Sequence, residues 1–236
     1  QFNRTKFWLV HFVTELSHNR GCNREYMKSK PKNLSLLVTC MPRAVPAIIL
    51  AAGASSRLGK PKALLKVGNM SLVELAHNRL VQAGCSPIVV VTRSELSLEV
   101  MKQTLGSHVH VNPHPEKGRT GSLQCGLMSL ASEKGRIPKG VLVSPVDRPG
   151  WTVEHAKSLM KVTKSSCLSY QGRRGHPFFL NESAIQTVLA APQDASLRDI
   201  VRFEPVDVDG PLLHLNIDTP EDEILLVQHE TLLLQS

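Results

Sequence analysis

The sequence lacks the features that mark a membrane protein or a disulfide-rich secreted domain. None of its apolar runs reaches eighteen residues, the length that a membrane-spanning helix needs. Its five cysteines are an odd number without a C-x-x-C pair, which argues against both a disulfide framework and a zinc site. Reduced thiols are typical of the cytosol, so we expect a cytoplasmic protein that does not use a membrane as its partner.

The positive charge of the chain lies mainly in its first forty residues. Residues 1–40 contain seven Lys/Arg and two acidic residues, so they account for +5 of the formal net charge of +8. The remainder of the chain is close to neutral for its length, and we therefore expect no nucleic-acid partner.

The same forty residues differ from the remainder in aromatic content. They hold Phe2, Phe7, Trp8 and Phe12 without helical or strand periodicity. We interpret residues 1–40 as a disordered leader and residues 41–236 as a single domain. A targeting or membrane-touching segment is the alternative, but no bounded apolar core with a small-residue cleavage site is present.

Beyond Val45, short apolar runs alternate with helical patterns. A capping box, Ser71 with Glu74, begins a helix that Gly84 ends. We predict strands at residues 46–52, 87–92, 108–112, 140–146 and, as the last, 212–217. Alternating strands and helices indicate β-α-β units, so the predicted fold class is α/β with a doubly wound, mostly parallel sheet.

The strongest local signal is the loop at residues 50–65, which follows the first predicted strand. Open α/β sheets bind ligands at this edge. Its first half consists of small residues, which allow backbone N–H groups to approach an anion. Arg57, Lys60 and Lys62 then supply positive charge for phosphates. A flexible basic loop without a ligand is the alternative interpretation.

This loop belongs to neither of the two common nucleotide-binding motifs. Five residues separate Gly53 from Gly59, where a Walker A loop has four, and Pro61 stands where Ser or Thr should follow the lysine. The G-x-G-x-x-G pattern of a dinucleotide site is also absent from it. The loop is therefore predicted to bind an anion in a different way.

Two aspartates are predicted to lie at the same edge of the sheet. Asp147 follows the apolar run at 141–143, and Asp218 follows the predicted strand at 212–217. Two carboxylates together with phosphate oxygens and waters are ligands that Mg²⁺ favours. The structural alternative is that Asp147 begins a turn and Asp218 precedes a helix cap.

Five ordered motifs resemble those of the molybdenum cofactor nucleotidyltransferases, within the nucleoside-diphospho-sugar transferase (Rossmann-like) fold. The loop at 50–65 is similar to the group's opening pattern, with Leu58 in place of Met. The other four motifs are at residues 118–127, 145–149, 175–179 and 216–222. Gly121 and Gln124 stand where the cytidylyltransferase branch tends to show Ser and Arg.

The resemblance implies a role for each matching position. The residues implied to bind the nucleotide are Leu50, Ala51, Ala52, Gly53, Lys62, Gly118 and Ser122, and those implied in catalysis are Lys62, Arg57 and Asp147. Contacts with the acceptor are implied for Gly175, His176 and Pro177, and Mg²⁺ binding is implied for Asp147 and Asp218.

The resemblance also implies a reaction. We expect transfer of CMP from CTP onto the terminal phosphate of a molybdopterin-type cofactor, with release of pyrophosphate and with a molybdenum hydroxylase or its chaperone as a partner. The same chemistry on a sugar or polyol phosphate is a second hypothesis. A nucleotide-binding protein that delivers cofactor without catalysis is a third, and the joint presence of Lys62, Asp147 and Asp218 argues against it.

Overall fold

A seven-stranded sheet organises the part of the chain that the structure describes. The structure, a computed structural model, describes residues 44–235 without the side chain of Lys134, so the leader expected at residues 1–40 lies outside it. The strands are β1 (Ala47–Leu50), β2 (Lys66–Val67), β3 (Met70–Ser71), β4 (Ile88–Thr92), β5 (His108–Val111), β6 (Gly140–Pro145), β7 (Ser166–Tyr170), β8 (Arg173–Asn181) and β9 (Glu204–Asp207).

The described residues also form eight α-helices. They are α1 (Leu72–Ala83), α2 (Ser97–Gln103), α3 (Gly118–Lys134), α4 (Val153–Met160), α5 (Glu182–Ala190), α6 (Leu197–Ile200), α7 (Pro220–Gln228) and α8 (Glu230–Gln235). In this part of the chain, no helix combines the length and the apolar character that crossing a membrane would require.

The sheet has the mostly parallel arrangement that the sequence predicts. Its strand order is β5-β4-β1-β6-β8-β7-β9, while β2 and β3 form a separate two-stranded ribbon. Strand β1 pairs in parallel with both β4 and β6, and β7 pairs in parallel with β9. Strand β8 is antiparallel to its neighbours β6 and β7. The predicted α/β fold class is confirmed.

Helices cover both faces of the sheet and bury two hydrophobic cores. On one face, α1 and α4 pack against alternate residues of the central strands, such as Ile49 and Val90. On the other face, α3 and α5 pack against the intervening residues, such as Ile48 and Val89. Because both faces are buried, the central strands are continuous apolar runs without a polar side, as a parallel sheet requires.

The predicted caps of α1 are confirmed. The side chain of Ser71 accepts a hydrogen bond from the N–H of Glu74, and the Glu74 carboxylate accepts one from the N–H of Ser71. Gly84 ends the helix in the left-handed conformation, with φ of 88°. These contacts satisfy backbone groups at both ends of α1, whose buried residues belong to the first core.

The strand predicted at residues 212–217 is wrong. This segment forms a turn and then irregular chain, closed by hydrogen bonds from the N–H of Leu213 to the carbonyl of Gly210 and from the N–H of Leu215 to that of Leu212. Leu213 and Ile217 are nevertheless buried. The run is therefore apolar because its side chains are buried in the first core, and not because it pairs with a strand of the sheet.

Strand β9 was not predicted from the sequence. Its residues, Glu204 to Asp207, are mostly exposed, and it lies at the edge of the sheet beside β7. An edge strand tolerates Pro205 and needs no apolar alternation on its outer side.

Candidate active site

A cavity of about 300 Å³ opens at the carboxyl ends of β1 and β6. These strands are parallel neighbours, and Leu50 pairs with Pro145, so the two chain segments that leave them begin side by side. The cavity is lined by Leu50, Ala51, Ala52, Gly53, Ala54, Ser55, Lys62, Ala63, Leu96, Pro115, Gly118, Arg119, Ser122, Pro145, Val146 and Asp147. It thus brings together all the positions predicted to bind a nucleotide and adds Asp147; their roles stay predictions.

The basic loop turns back so that its lysine reaches the cavity. Ser55 has a positive φ of 52°. Its carbonyl accepts hydrogen bonds from the N–H groups of Leu58 and Gly59, both at 3.1 Å. Its hydroxyl accepts a further one, at 3.1 Å, from the N–H of Lys62. A tight turn of small residues therefore sets the position of the lysine.

Three side chains converge on Asp218. Lys62 Nζ donates a hydrogen bond to one carboxylate oxygen. Arg57 Nη2 and Asn216 Nδ2 donate to the other, at 3.1 Å and 3.0 Å. The hydrogen bonds from Lys62 and then Asn216 lower the pKa of Asp218 to about 2. Asp218 is therefore ionised at neutral pH and neutralises the lysine in the absence of a ligand.

Asp218 reaches this position without a strand to carry it. Its N–H donates a hydrogen bond of 2.8 Å to Asp222, whose carboxylate also caps the first turn of α7 with Thr219. The N–H of the preceding residue, Ile217, donates to the backbone carbonyl of Asp147 at 3.0 Å. That bond joins the two acidic segments by their backbones, and not by the predicted strand at residues 212–217.

Asp147 has a carboxylate without a polar partner. Within residues 44–235, no hydrogen bond or ion pair engages its side chain, which lies half-buried at the wall of the cavity. The described residues contain no group of three or more His, Cys, Asp or Glu side chains arranged to hold a metal. Two carboxylates fit Mg²⁺ nonetheless, because this ion commonly takes one or two from the protein and the rest from phosphates and water.

A buried arginine supports the turn that follows Asp147. Arg79, on α1, donates hydrogen bonds to the carbonyl of Pro149 at 2.5 Å and to that of Leu233 at 2.6 Å. Its guanidinium also lies 5.4 Å from the ring centre of Trp151. The sequence analysis did not single out Arg79. Its spacing of three residues from the buried Ala76 places it on the apolar stripe of α1, which was the available signal.

The start of α3 forms the opposite wall of the cavity. Ser122 Oγ accepts a hydrogen bond of 3.0 Å from Asn112 and donates one of 3.1 Å to the carbonyl of Gly118. Gln124 is buried, and its amide donates to the carbonyls of Val188 and Ala191. The departure from the family pattern at Gln124 therefore serves to attach α3 to α5.

The predicted acceptor residues lie beside the cavity but not in its wall. Val143 of β6 pairs with Phe178 of β8, which places His176 near the carboxyl end of β6. The His176 ring packs edge-on against Phe178, with centroids 5.9 Å apart. Burial, and then the charges of three nearby arginines, lower the pKa of His176 to about 3, so it is neutral at physiological pH. Gly175 leaves room for Leu213, and Pro177 is buried.

An open α/β sheet with a basic loop, a lysine and two carboxylates at its carboxyl edge defines a class of proteins that bind and transfer phosphorylated nucleotides. Residues 47–208 match the model of the MobA-like NTP transferase domain, and the chain belongs to this family. The resemblance seen in the sequence is thereby confirmed. The chain is a nucleotidyltransferase, a class that acts on a nucleoside triphosphate and a phosphorylated acceptor.

Individual relatives share much of the chain. A nicotine blue oxidoreductase of Paenarthrobacter nicotinovorans is 30% identical over 177 residues, which are 70% of this chain and 85% of the relative. The molybdenum cofactor cytidylyltransferase of Escherichia coli (strain K12) is 24% identical over 196 residues, 80% of this chain and 98% of the relative. Among solved structures, Rv0371C of Mycobacterium tuberculosis in complex with manganese has a TM-score of 0.62 at 21% identity, over 78% of this chain and 98% of that one.

Proposed function

We propose that this chain is a cytidylyltransferase that transfers CMP from CTP to the terminal phosphate of a molybdopterin-type cofactor. The observation that carries the proposal is that Lys62 and Asp147 line one cavity together with the family's opening loop, while Asp218 accepts a hydrogen bond from Lys62. The assignment of CTP and of this acceptor is supported by the similarity to the molybdenum cofactor cytidylyltransferase of Escherichia coli, 98% of which this chain covers.

In the proposed reaction, an oxygen of the acceptor phosphate forms a bond to the α-phosphorus of CTP. The bond from the α-phosphorus to the oxygen that bridges it to the β-phosphorus breaks, and pyrophosphate leaves with that electron pair. Such transfer depends mainly on positioning and on stabilisation of charge. Ala51, Ala52 and Gly53 bind the nucleotide through backbone groups, while Lys62 and Arg57 stabilise the phosphates.

The pairing of Lys62 with Asp218 suggests how a nucleotide is received. In the free protein, Asp218 holds the lysine at the cavity and supplies the negative charge that balances it. A triphosphate offers Lys62 alternative anionic oxygens, which would release the carboxylate. Asp147 and Asp218 would then be available to hold Mg²⁺. The chemistry that Mg²⁺ would supply there is neutralisation of phosphate charge, and the manganese complex of the related fold is consistent with a divalent ion.

The test is a pyrophosphate-release assay with each of the four nucleoside triphosphates and purified molybdopterin cofactor, with Mg²⁺ or with chelator. We expect release that requires CTP, the cofactor and the metal together. Asp147→Asn should lower turnover on the order of a hundredfold or more, since it removes a charge at the reacting phosphates. Asp207→Asn, on the exposed edge strand, is the matched control.

The other outcomes of this assay separate the remaining hypotheses. Turnover with a sugar or polyol phosphate in place of the cofactor would replace the proposed acceptor. Tight CTP binding without release with any acceptor would favour a protein that delivers cofactor without catalysis. If Asp147→Asn kept wild-type turnover at saturating Mg²⁺ and CTP, the assignment of the metal to this residue would be refuted. We further propose a cytoplasmic location, with a molybdenum hydroxylase or its chaperone as the recipient.

A second candidate function is oxidoreduction, because the relative that is 30% identical carries the name of an oxidoreductase. Calorimetry distinguishes the two candidates. We expect CTP with Mg²⁺ to bind and nicotinamide dinucleotides not to compete, since the loop lacks the G-x-G-x-x-G pattern that such cofactors use. Binding of a nicotinamide dinucleotide in competition with CTP would support oxidoreduction.

A further inference from the structure

The two edges of the seven-stranded sheet differ in how well they resist pairing with another strand. Within the described residues, β5 and β9 are its outer strands. Strand β9 contains Pro205 and the charged Glu204 and Asp207, which discourage a further strand from pairing there. Strand β5 has the sequence His-Val-His-Val and pairs with β4 in an unbroken register, without proline, lysine or a bulge. Of the two edges, β5 is therefore the one suited to pair with a further strand.

The backbone groups of β5 that point away from β4 belong to two valines. The N–H of Asn112, directly after β5, donates to the carbonyl of Thr92 in β4 at 2.9 Å. Successive residues of a strand direct their N–H and C=O groups to opposite sides, so His110 also faces β4. Val109 and Val111 therefore direct these groups outward. The pattern of outward groups is symmetrical about His110.

An apolar stripe lies beside the same edge. Helix α2 packs against β5, and its residue Val100 is buried in the first core. Leu98 and Met101 lie on the outward side of α2, and Leu105 follows two residues after the helix. These three residues, spaced three and four apart, form the α2 stripe, and they are 73%, 51% and 78% exposed. An exposed apolar surface of this kind indicates a contact with another molecule.

The α2 stripe faces the free edge of the sheet. The side chain of Gln103 accepts a hydrogen bond from the hydroxyl of Ser71, so that flank of α2 meets the start of α1. Met101 precedes Gln103 by two residues, or roughly 200° around the helix, and so lies on the other flank. Val109 packs against the first core, and Val111, two residues further, has its side chain on the same face of the sheet. Val111 and the α2 stripe therefore lie together beside the β5 edge.

A second copy of this chain fits the edge because both features are self-complementary. When two β5 strands pair antiparallel about a two-fold axis at His110, Val109 of each copy lies opposite Val111 of the other. Each such pair exchanges both of its outward N–H and C=O groups, while the two His110 residues form a pair without hydrogen bonds. The same axis places the two α2 stripes side by side on one face of the joined sheet.

The extent of this surface indicates the strength of the association. A stable interface buries roughly 800 Å² on each partner. The α2 stripe, Val111 and the paired backbone would together supply about half of that area. We therefore expect a reversible association with a Kd on the order of 10 μM.

We propose that this chain forms a homodimer by antiparallel pairing of its β5 strands, with the α2 stripes in contact across the two-fold axis. The two sheets then become one continuous sheet. Because the strands of the two copies run in opposite directions, the cavities at the carboxyl ends of β1 and β6 open at opposite ends of that sheet. Dimerisation needs neither nucleotide nor acceptor, so it can be tested whether or not the chain is a cytidylyltransferase.

Sedimentation-velocity centrifugation of the full chain, from about 1 μM to about 200 μM, measures the association. We expect a monomer–dimer equilibrium in the wild-type protein. Leu98→Lys should raise the Kd at least about tenfold, because it would bury an ammonium group without a partner. Val227→Lys is the matched control, since Val227 lies on α7 and is 72% exposed, against 73% for Leu98. It should leave the Kd unchanged within about twofold.

A cysteine at the two-fold axis tests the register. The Cα atoms of an antiparallel pair without hydrogen bonds lie about 4.5 Å apart, which a disulfide can span. His110→Cys should therefore give a disulfide-linked dimer under mild oxidation. His108→Cys is the control on the same strand and face, because the pairing would separate its two copies by roughly 13 Å, which is too far for a disulfide. The wild-type protein sets the background from the native cysteines, and peptide mass spectrometry identifies the linked position.

Several outcomes would overturn the proposal. A protein that stays monomeric up to about 200 μM has no such dimer. A dimer that Leu98→Lys leaves intact uses another surface, and equal weakening by Val227→Lys reflects net charge alone. Equal cross-linking of His108→Cys and His110→Cys would reject the pairing about His110.

Pyrophosphate release is a separate measurement, because neither Leu98 nor His110 lines the nucleotide cavity. Turnover by a protein that is monomeric throughout would retain the enzyme and reject the dimer. A dimer that cross-links through His110→Cys but shows no turnover with any acceptor would retain the dimer and reject the cytidylyltransferase.

Discussion

Replacement of Asp218 by Asn tests the charge arrangement at the centre of the site. Its carboxylate is about a quarter exposed and accepts hydrogen bonds from Lys62, Arg57 and Asn216. These contacts hold its pKa at about 2 in the folded protein, in place of an ordinary value of 3.8. The difference corresponds to roughly 2 kcal/mol in favour of the ionised folded state. Because Arg57 is largely exposed and solvent screens its share, we expect a contribution of about 1–2 kcal/mol.

The pH dependence of this contribution has a definite sign. The folded pKa lies below the unfolded one, so the stabilisation is complete above about pH 4 and is lost as the pH falls towards 2. Urea unfolding of wild-type protein and Asp218→Asn at pH 7, 5, 4 and 3, without nucleotide or metal, measures it. The free energy of unfolding should differ by about 1–2 kcal/mol at pH 7 and by roughly half of that at pH 3.

A double-mutant cycle with Lys62→Met identifies the partner. In the Lys62→Met background, Asp218→Asn should cost less than it does in the wild-type protein, because the first hydrogen bond to the carboxylate is already gone. A difference in unfolding free energy that stays constant from pH 7 to pH 3, or a cycle without coupling, would refute the assigned ion pair. The stability readout stays valid even if the variant has lost all activity.

Three further predictions concern the frame around the site. Gly150→Ala would place a Cβ 1.7 Å from the carbonyl oxygen of Leu212, so we expect a lower melting temperature and a lower turnover. Circular dichroism measures the melting temperature and verifies that the variant is folded in the turnover assay. Arg79→Met removes a buried donor from the carbonyl of Pro149 and should lower the free energy of unfolding by about 2–4 kcal/mol, whereas near-wild-type urea unfolding would contradict this. Burial raises the pKa of the Cys85 thiol to about 12, so iodoacetamide at pH 8 should label it only after unfolding, as mapped by mass spectrometry.

The sequence was sufficient to predict the central strands and the loop that follows the first of them. A parallel strand buried on both faces must be apolar throughout, so residues such as Val89 and Leu142 are visible in the sequence as parts of continuous runs. The position of Asp147 follows from its place just after β6, and that of Lys62 from its place in the loop that follows β1. This part of the site could therefore be predicted from local patterns and from the known position of ligands in α/β sheets.

The remainder of the site depends on contacts between distant segments. The apolar run at 212–217 has the composition of a strand, but burial of Leu213 and Ile217 against the first core needs no pairing in the sheet. Strand β9 is a strand without an apolar run, because an edge strand needs little apolar content, and it is therefore not visible in the sequence pattern. The carbonyl partners of Arg79 could not be located, because Pro149 and Leu233 lie many residues away from it in the sequence.

The hydrogen bonds of Arg79 have a practical consequence for detecting ligands. One guanidinium joins the carbonyl of Leu233 in the last helix to that of Pro149, two residues after Asp147. Any adjustment of that turn when a nucleotide arrives should be transmitted to α8. Leu232 is 55% exposed on that helix and does not line the cavity, so a fluorescent dye on a cysteine placed there would lie at the surface. The chain thus contains an attachment point for an optical sensor whose signal originates at the Asp147 turn.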